Sequence, residues 1–195
     1  AQGLKVLVLE QGARLEEHEF TGQELEMSAA LYDEGGGFLT ADGTMTLAFG
    51  RAYGGFTVVY TGTSLIAPDR VIRSWCVPGL DFADVERRSQ KFMAQNDVHY
   101  LPRVLLNDNN KLFVTGCARV GAKAEQFPLN LRGCKGSSLC NMGCPNGAKM
   151  GTHRVQLPAA ERAGVEVVTR AEALRLEERT VIARVRAHPQ NVGFV

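Results

Sequence analysis

Three cysteines that lie close together in the sequence are the residues most suited to chemistry. Cys134, Cys140 and Cys144, three of the five cysteines in the chain, follow the pattern C-x5-C-x3-C and precede Pro145. Zinc sites of the C-x2-C type have a different spacing, and this set has no obvious fourth ligand. Thiolates followed by a proline are typical of iron–sulfur proteins. The clustering therefore predicts a metal-binding or redox site.

A glycine-rich segment, residues 50–64, is the second candidate for chemistry. Its sequence, GRAYGGFTVVYTGTS, has four glycines within its first thirteen residues, together with Arg51 and several hydroxyl side chains. Adjacent glycines, Gly54 and Gly55, allow the backbone to approach a ligand closely. Residues from Thr57 onward can begin a helix whose N–H groups face a phosphate. A plain glycine-rich turn is the alternative that the segment alone leaves open.

An acid follows the first apolar run of the chain. The run, residues 5–9, ends at Glu10, and it predicts a strand that is buried on both faces of a parallel sheet. An acid in that place is typical of the second strand of a dinucleotide-binding fold, where it accepts hydrogen bonds from ribose hydroxyls. A solvated glutamate is the alternative. Because only four residues precede the run, we expect the upstream motif G-x-G-x-x-G to be missing from this sequence.

Composition and charge exclude several classes of protein. The chain has 195 residues, of which 45% are hydrophobic and 22% charged, as in ordinary globular domains. Lys and Arg total 22 and Asp and Glu total 21, so charge gives no argument for a nucleic-acid partner. The sequence has no apolar run of about 18 residues, so we predict no transmembrane segment.

The elements that must position these residues alternate between helices and short strands. The predicted helices are residues 24–32, 81–96 and 152–163, the last with Thr152 as a candidate N-cap. Because Pro158 lies inside the last one, that helix either begins later or is kinked. The predicted strands are two around Asp42 and Gly43, one at 165–169, and a pair at 171–177 and 181–187. Residues 97–110 are predicted to form a loop, and residues 112–114 a short apolar run. This order is typical of an α/β fold.

Taken in order, these segments resemble the glucose–methanol–choline (GMC) family of FAD-dependent oxidoreductases. KVLVLEQG, from residue 5, is similar to the family's second strand and its acid, and GRAYGGFTVVYTG is similar to its first signature, G-R-x-x-G-G-x-S/T. Residues 144–177 are similar to the stretch that leads to the adenosine-binding strands, and Trp75 followed by Gly79 fits the long-chain alcohol oxidase branch. The resemblance implies a partial, Rossmann-like FAD-binding fold with inserted helices and a β-hairpin.

The resemblance covers nearly the whole chain and divides one incomplete FAD-binding domain, residues 1–195, into four parts. Residues 1–64 carry the second strand, the ribose acid and the flavin-attachment segment, and residues 65–133 form a helical insertion. Residues 134–151 form the cysteine loop, and residues 152–195 form the helix and strands on the adenosine side.

The resemblance also assigns cofactor-binding residues. Glu10 matches the acid that holds the adenosine ribose, and Ala173 matches the position, usually Val, whose backbone meets the adenine edge. The positions that match the segment along the pyrophosphate and flavin are Gly50, Arg51, Gly54, Gly55 and Thr57, with Tyr60 where the family usually has Asn. Phe56 stands where the family has a small residue.

The activity that the resemblance implies is oxidation of an alcohol or sugar hydroxyl by hydride transfer to FAD. The family's catalytic histidine is not matched by His18, His99, His153 or His188, so we assign no catalytic residue in this chain. We therefore expect the chain alone to be inactive and to bind FAD weakly. The alternatives are an electron-transfer or metal-binding module that uses the cysteine loop, and a non-catalytic remnant.

Three interpretations of the cysteine loop stay open after the resemblance. Certain bacterial GMC dehydrogenases carry a three-iron (3Fe–4S) cluster on a similar stretch, which implies Cys134, Cys140 and Cys144 as ligands and an electron-acceptor protein as partner. The second interpretation is a structural cysteine loop without a cluster. The third is a disulfide together with one free thiol.

Overall fold

The computed structural model describes residues 3–186, which belong to two compact units. The first unit comprises Ala1–Tyr60, Leu139–Gly147 and Gly151–Val195, and the second comprises Thr61–Ser138 and Ala148–Met150. The helical insertion that we predicted over residues 65–133 falls inside the second unit. Each unit is described separately.

The predicted first strand is present, but it is shorter and more exposed than we expected. Strand β1, Leu7–Leu9, pairs in parallel with a strand late in the chain, Glu166–Val168, which is the fourth strand in chain order (β4). Leu7 is 56% exposed, so the prediction of burial on both faces is wrong. Within residues 3–186, β1 has β4 as its single partner strand, which leaves its other edge open.

Both predicted hairpins form in the first unit. Strand β2, Phe38–Leu39, pairs with β3, Thr46–Leu47, and the intervening turn is held by the Asp42 carboxylate, which accepts hydrogen bonds from its neighbours. Strands β5, Ala171–Glu177, and β6, Thr180–Val185, form the second antiparallel hairpin.

The core of the first unit includes part of the glycine-rich segment. Helix α1, Glu24–Leu31, forms where it was predicted and buries Met27 and Leu31. The core cluster consists of Phe20, Met27, Leu31, Ala52, Val58 and Val59. Because three of these residues come from the segment itself, the same packing that stabilises the unit also holds the segment in place.

The helix late in the first unit, Gln156–Arg162, begins four residues later than predicted. In chain order it is α5. Proline lacks a backbone N–H and is tolerated in the first turn of a helix, and Pro158 is the third residue of this one. Thr152 is therefore not the N-cap, a role that Val155 takes, and of the two alternatives that Pro158 left open the later start is the one observed.

The second unit contains the other three helices, which are α2, Asp69–Ser74, α3, Phe82–Gln95, and α4, Asp108–Arg119. Helix α3 forms where the sequence predicted a helix, and it begins after Asp81, whose carboxylate accepts the Asp84 N–H at 3.1 Å. Helix α4 covers the end of the loop that we predicted over residues 97–110 and the apolar run that we predicted over residues 112–114. The polar residues that suggested a loop include its N-cap, because Asn107 Oδ1 accepts the Asn110 N–H at 2.9 Å.

Residues 3–186 contain no helix long and apolar enough to cross a membrane.

Candidate cofactor-binding site

Glu10 lies at the carboxyl end of the parallel strand pair in the first unit. Its N–H donates to the Val168 carbonyl at 2.9 Å, and its own carbonyl accepts the Ala171 N–H at 2.8 Å. The backbone of Glu10 is thus tied to the end of β4 and to the start of β5. Ligands of open α/β sheets bind at this edge, so the structure places the acid where a nucleotide ribose is expected.

The Glu10 carboxylate has one oxygen engaged and one available. Oε1 accepts the Gly12 N–H at 2.7 Å, and Oε2 has no recorded hydrogen bond within residues 3–186. Burial raises the pKa of this carboxyl above its ordinary value, while the Gly12 N–H and the Arg51 charge act in the opposite direction. A half-buried carboxylate with a free acceptor oxygen is suited to hold a hydroxyl pair.

The glycine-rich segment runs directly beside the residues that follow Glu10. Ala52 forms a parallel bridge with Ala13, and the Tyr53 N–H donates to the Ala13 carbonyl at 2.9 Å. Gly12 is required at this crossing, because a Cβ on it would lie 2.1 Å from the Arg51 carbonyl oxygen. The structure therefore brings together two stretches, residues 10–13 and 51–53, that the sequence analysis had assigned to one site.

The two adjacent glycines have different roles. Gly54 has a φ of +108°, and a Cβ on it would lie 2.7 Å from the Cβ of His153, so this residue allows close packing. Gly55 has a φ of +56°, and an added Cβ would meet nothing within 4 Å. Gly55 therefore presents an open stretch of backbone that a ligand can approach, whereas Gly54 fixes the turn against the protein.

Thr57 stabilises this turn through its hydroxyl. Its Oγ1 donates to the Gly54 carbonyl at 2.7 Å and accepts the Thr152 N–H at 2.9 Å. The predicted helix that begins at Thr57 is wrong, because Gly55–Val58 form a single 3-10 turn. The segment therefore offers no α-helix N-terminus to a phosphate, and one lone pair of the Thr57 hydroxyl remains for a ligand.

Arg51 and Gly50 are held by the first unit itself. The guanidinium of Arg51 donates to Asp33 Oδ1 and to the Ala29 carbonyl, both at 3.4 Å. A Cβ on Gly50 would lie 2.6 Å from the Cα of Phe56, so glycine is needed there. Phe56 itself is 48% exposed. Arg51 thus stands beside the candidate site with its charge already partly neutralised.

Ala173 is an exposed residue of β5 and follows Ala171, whose N–H donates to Glu10, by two positions. It pairs with Ala183 of β6, and the ladder shifts between Ala173 and Arg175. Such a bulge leaves one residue of the strand unpaired. The hairpin is therefore irregular just after Ala173, and the assignment of this residue to the adenine edge stays a prediction.

Comparison with known proteins identifies the family. The profile of the GMC oxidoreductase family matches residues 28–193. The chain belongs to this family. It is 33% identical over 176 residues to a long-chain-alcohol oxidase of Arabidopsis thaliana, covering 89% of this chain and 24% of the relative. It is 34% identical over 184 residues to an uncharacterized GMC-type oxidoreductase of Mycobacterium tuberculosis, covering 91% of this chain and 29% of the relative.

The chain thus spans about a quarter of the length of these relatives. It corresponds to part of the N-terminal, FAD-binding domain of a GMC oxidoreductase. A more distant GMC-type relative from Sinorhizobium fredii is 28% identical over 186 residues, covering 91% of this chain and 36% of the relative.

The residues present fit the dinucleotide part of FAD. Glu10 offers an acceptor oxygen at the end of a parallel strand. The backbone at Gly55 is open to a ligand, because a Cβ added there would meet no atom within 4 Å. These are the two features that a ribose and a close-lying pyrophosphate or flavin need. Tyr60, at the end of the first unit, is half-buried.

The cysteines do not form a recognisable metal centre. Across the described part of the chain, no group of three or more His, Cys, Asp or Glu side chains is placed to hold a metal ion. Cys140 and Cys144 belong to the first unit and Cys134 to the second, and none of the three forms a disulfide. The structure therefore gives no support to the three-iron cluster.

The loop that carries Cys140 and Cys144 is packed as a structural element of the first unit. Gly143 lies against the ring of Phe20, and a Cβ on it would come 2.1 Å from that ring. The hydroxyl of Tyr32 donates to the Asn141 carbonyl at 2.8 Å. These contacts favour the interpretation of a structural cysteine loop.

Sequence reasoning missed the residues that support the glycine-rich segment from outside. Gly12, Thr152 and His153 contact it directly, and none of them was assigned a role in the cofactor site. Gly12 had a usable signal, because a glycine two residues after a strand-ending acid indicates a close crossing. His188, one of the histidines considered as a base, lies outside the described residues.

Proposed function

We propose that this chain forms the FAD-binding part of an enzyme that oxidises a CH–OH group, and that a long-chain alcohol is its substrate class. The proposal is supported above all by the family match over residues 28–193. The relative named long-chain-alcohol oxidase, at 33% identity, favours an alcohol over a sugar. A sugar hydroxyl is the alternative substrate.

The residues of the first unit have separate tasks in this proposal. Glu10 accepts hydrogen bonds from the ribose hydroxyls with the oxygen that Gly12 leaves available. The open backbone at Gly55 lies along the cofactor, and Thr57 and His153 keep that backbone in place. Backbone groups near Ala173 receive the adenine edge. Bound FAD would supply the two-electron acceptor for hydride from the carbon that bears the hydroxyl.

The test is anaerobic reduction of the flavin in the protein expressed from its complete reading frame. We expect a yellow protein whose flavin absorbance bleaches on mixing with dodecanol or hexadecanol, more slowly with octanol, and least with glucose. Dodecane, which has the chain without the hydroxyl, is the control and should leave the flavin oxidised. A colourless protein, or a flavin that no alcohol or sugar reduces, would contradict the proposal.

The same experiment identifies the electron acceptor. Rapid reoxidation on admitting air supports an oxidase. Slow reoxidation in air, accelerated by an artificial electron acceptor, supports a dehydrogenase that uses a partner protein.

A further inference from the structure

Tyr53, inside the glycine-rich segment, is held at three points. It is 5% exposed, although it belongs to a turn that must approach a ligand. Its N–H donates to Ala13, its ring lies 4.3 Å from the guanidinium carbon of Arg14, and its hydroxyl donates to Glu161 Oε2 at 2.7 Å. Backbone, ring and hydroxyl are each bonded to a different part of the first unit.

Glu161 lies on helix α5, 108 residues away in sequence from Tyr53. Its second oxygen accepts from Arg14 Nη1 at 3.0 Å, so one carboxylate joins the tyrosine and the arginine. Burial and the bond to Glu161 raise the pKa of Tyr53 to about 12, which keeps the hydroxyl protonated at neutral pH. The hydroxyl is therefore able to donate to Glu161 throughout the neutral pH range.

The bond acts on the two residues that follow Tyr53. Glycines have more backbone conformations to lose than any other residue, so a Gly-Gly turn is poorly determined by its own sequence. Gly54 and Gly55 adopt φ values of +108° and +56°. A side chain fixed immediately before the turn reduces the conformations that the turn can reach, and a preformed site binds more tightly.

We propose that Tyr53 and Glu161 are positioning residues, whose hydrogen bond holds the turn at Gly54 and Gly55 in the conformation that binds FAD. This inference rests on the proposed function, and it adds two residues that neither the GMC signature nor the sequence analysis assigned. In that signature the position of Tyr53 is one of the unspecified residues.

The test is a double-mutant cycle on FAD affinity in the protein expressed from its complete reading frame, with the flavin removed and then titrated back. Tyr53→Phe and Glu161→Ala should each raise the dissociation constant about tenfold, since each removes a hydrogen bond to a charged group. The double variant should bind no worse than Glu161→Ala, because that single variant already lacks both the bond from Tyr53 and the bond from Arg14. Glu161→Gln, which keeps an acceptor oxygen, should stay within about threefold of the wild type.

Arg162→Ala is the matched control, since Arg162 lies on the same helix and is exposed. It should leave both the FAD affinity and the visible circular dichroism of bound flavin unchanged, whereas Tyr53→Phe should alter both. Amide hydrogen exchange gives a readout without cofactor. Exchange in peptides that contain residues 50–60 should rise in Tyr53→Phe and Glu161→Ala, with peptides from β5 and β6 unchanged.

The outcomes separate this inference from the proposed function. A wild-type protein that binds no FAD overturns the proposed function. If the wild type binds FAD and both single variants have dissociation constants within about twofold of the wild-type value, only the positioning role is overturned. The positioning role is also overturned if the fold-increase in the dissociation constant of the double variant equals the product of the two single fold-increases.

Discussion

The two units of the chain differ in how far they bury their own apolar residues. In the first unit, Leu31 and Val59 are 0% and 1% exposed, and the core that they form includes part of the glycine-rich segment. In the second unit, Leu112 and Phe113 of α4 are 72% and 65% exposed. An isolated helix of this length is marginal in water, so α4 contributes little stability of its own.

The second unit also has an open cleft of about 860 Å³. Its apolar lining includes Leu105, Phe113 and Phe127, which are all exposed. The contrast teaches that the candidate cofactor residues are fixed by contacts inside the first unit. Substitutions there should affect folding and FAD binding strongly, and matched substitutions in the second unit should affect them little.

The largest difference is expected between two glycine substitutions. Gly54→Ala places a Cβ 2.7 Å from the Cβ of His153 at a positive φ, so overpacking and backbone strain add. We expect a loss of about 3 kcal/mol or more in the free energy of unfolding. Gly79→Ala in the second unit also has a positive φ, but nothing lies within 4 Å. It should cost about 1 kcal/mol. Urea unfolding measures both, and equal losses would show that the packing against His153 is wrong.

The second comparison uses one chemical change in both units. Leu31→Ala leaves a cavity in the core of the first unit and should cost about 2–5 kcal/mol. Leu112→Ala on α4 removes a side chain that is 72% exposed and should cost less than about 0.5 kcal/mol. Thermal unfolding followed by circular dichroism gives both values. A large effect of Leu112→Ala would mean that α4 is covered in solution.

We expect the cysteine loop to contribute to packing and to bind no iron–sulfur cluster. Protein purified without oxygen should contain less than one iron per chain and no labile sulfide. Cys140→Ser should leave both the flavin content and the rate of flavin reduction by substrate unchanged. Stoichiometric iron that disappears in Cys140→Ser would restore the cluster interpretation, and with it the partner protein as electron acceptor.

The smallest expected effect is a difference in the sign of pH dependence between two acids. Arg132 donates to Asp97 in the second unit and holds the pKa of that carboxyl below its ordinary value, so its contribution is lost as pH falls through the lowered pKa. Burial raises the pKa of Glu10 in the first unit. The folded state therefore gains stability as pH falls through the raised pKa of Glu10. Asp97→Asn and Glu10→Gln should therefore change the pH slope of the unfolding midpoint in opposite directions. If the two variants change the pH slope in the same direction, the surroundings described for either Asp97 or Glu10 are wrong.

Local patterns predicted much of the fold. Helix α1, helix α3 and both hairpins depend on short-range signals, which the sequence displays directly. Helix α4 was missed because Asn and Asp are common both in loops and at helix starts, and only the Asn107 cap geometry separates the two. The exposure of β1 was missed because an apolar run does not say how many partner strands it has.

The sequence predicted the residues of the candidate site better than it predicted the contacts that hold them in place. Glu10, Gly54 and Gly55 were chosen from the sequence, and the structure brings Glu10 and the glycine-rich segment together through Gly12. The contacts of Tyr53 with Glu161 and of Gly54 with His153 join residues about a hundred positions apart. No local pattern encodes such a pair, because each depends on the tertiary fold.

The FAD affinity of Glu10 variants tests the central claim most directly. With the flavin removed from the protein expressed from its complete reading frame and then titrated back, Glu10→Ala should raise the dissociation constant at least about tenfold, since it removes hydrogen bonds to a charged group. Glu166→Ala, an exposed acid on the adjacent strand β4, is the control and should stay within about twofold of the wild type. An unchanged affinity in Glu10→Ala, with the protein folded and the wild type binding FAD, would show that the cofactor site is not built on this acid.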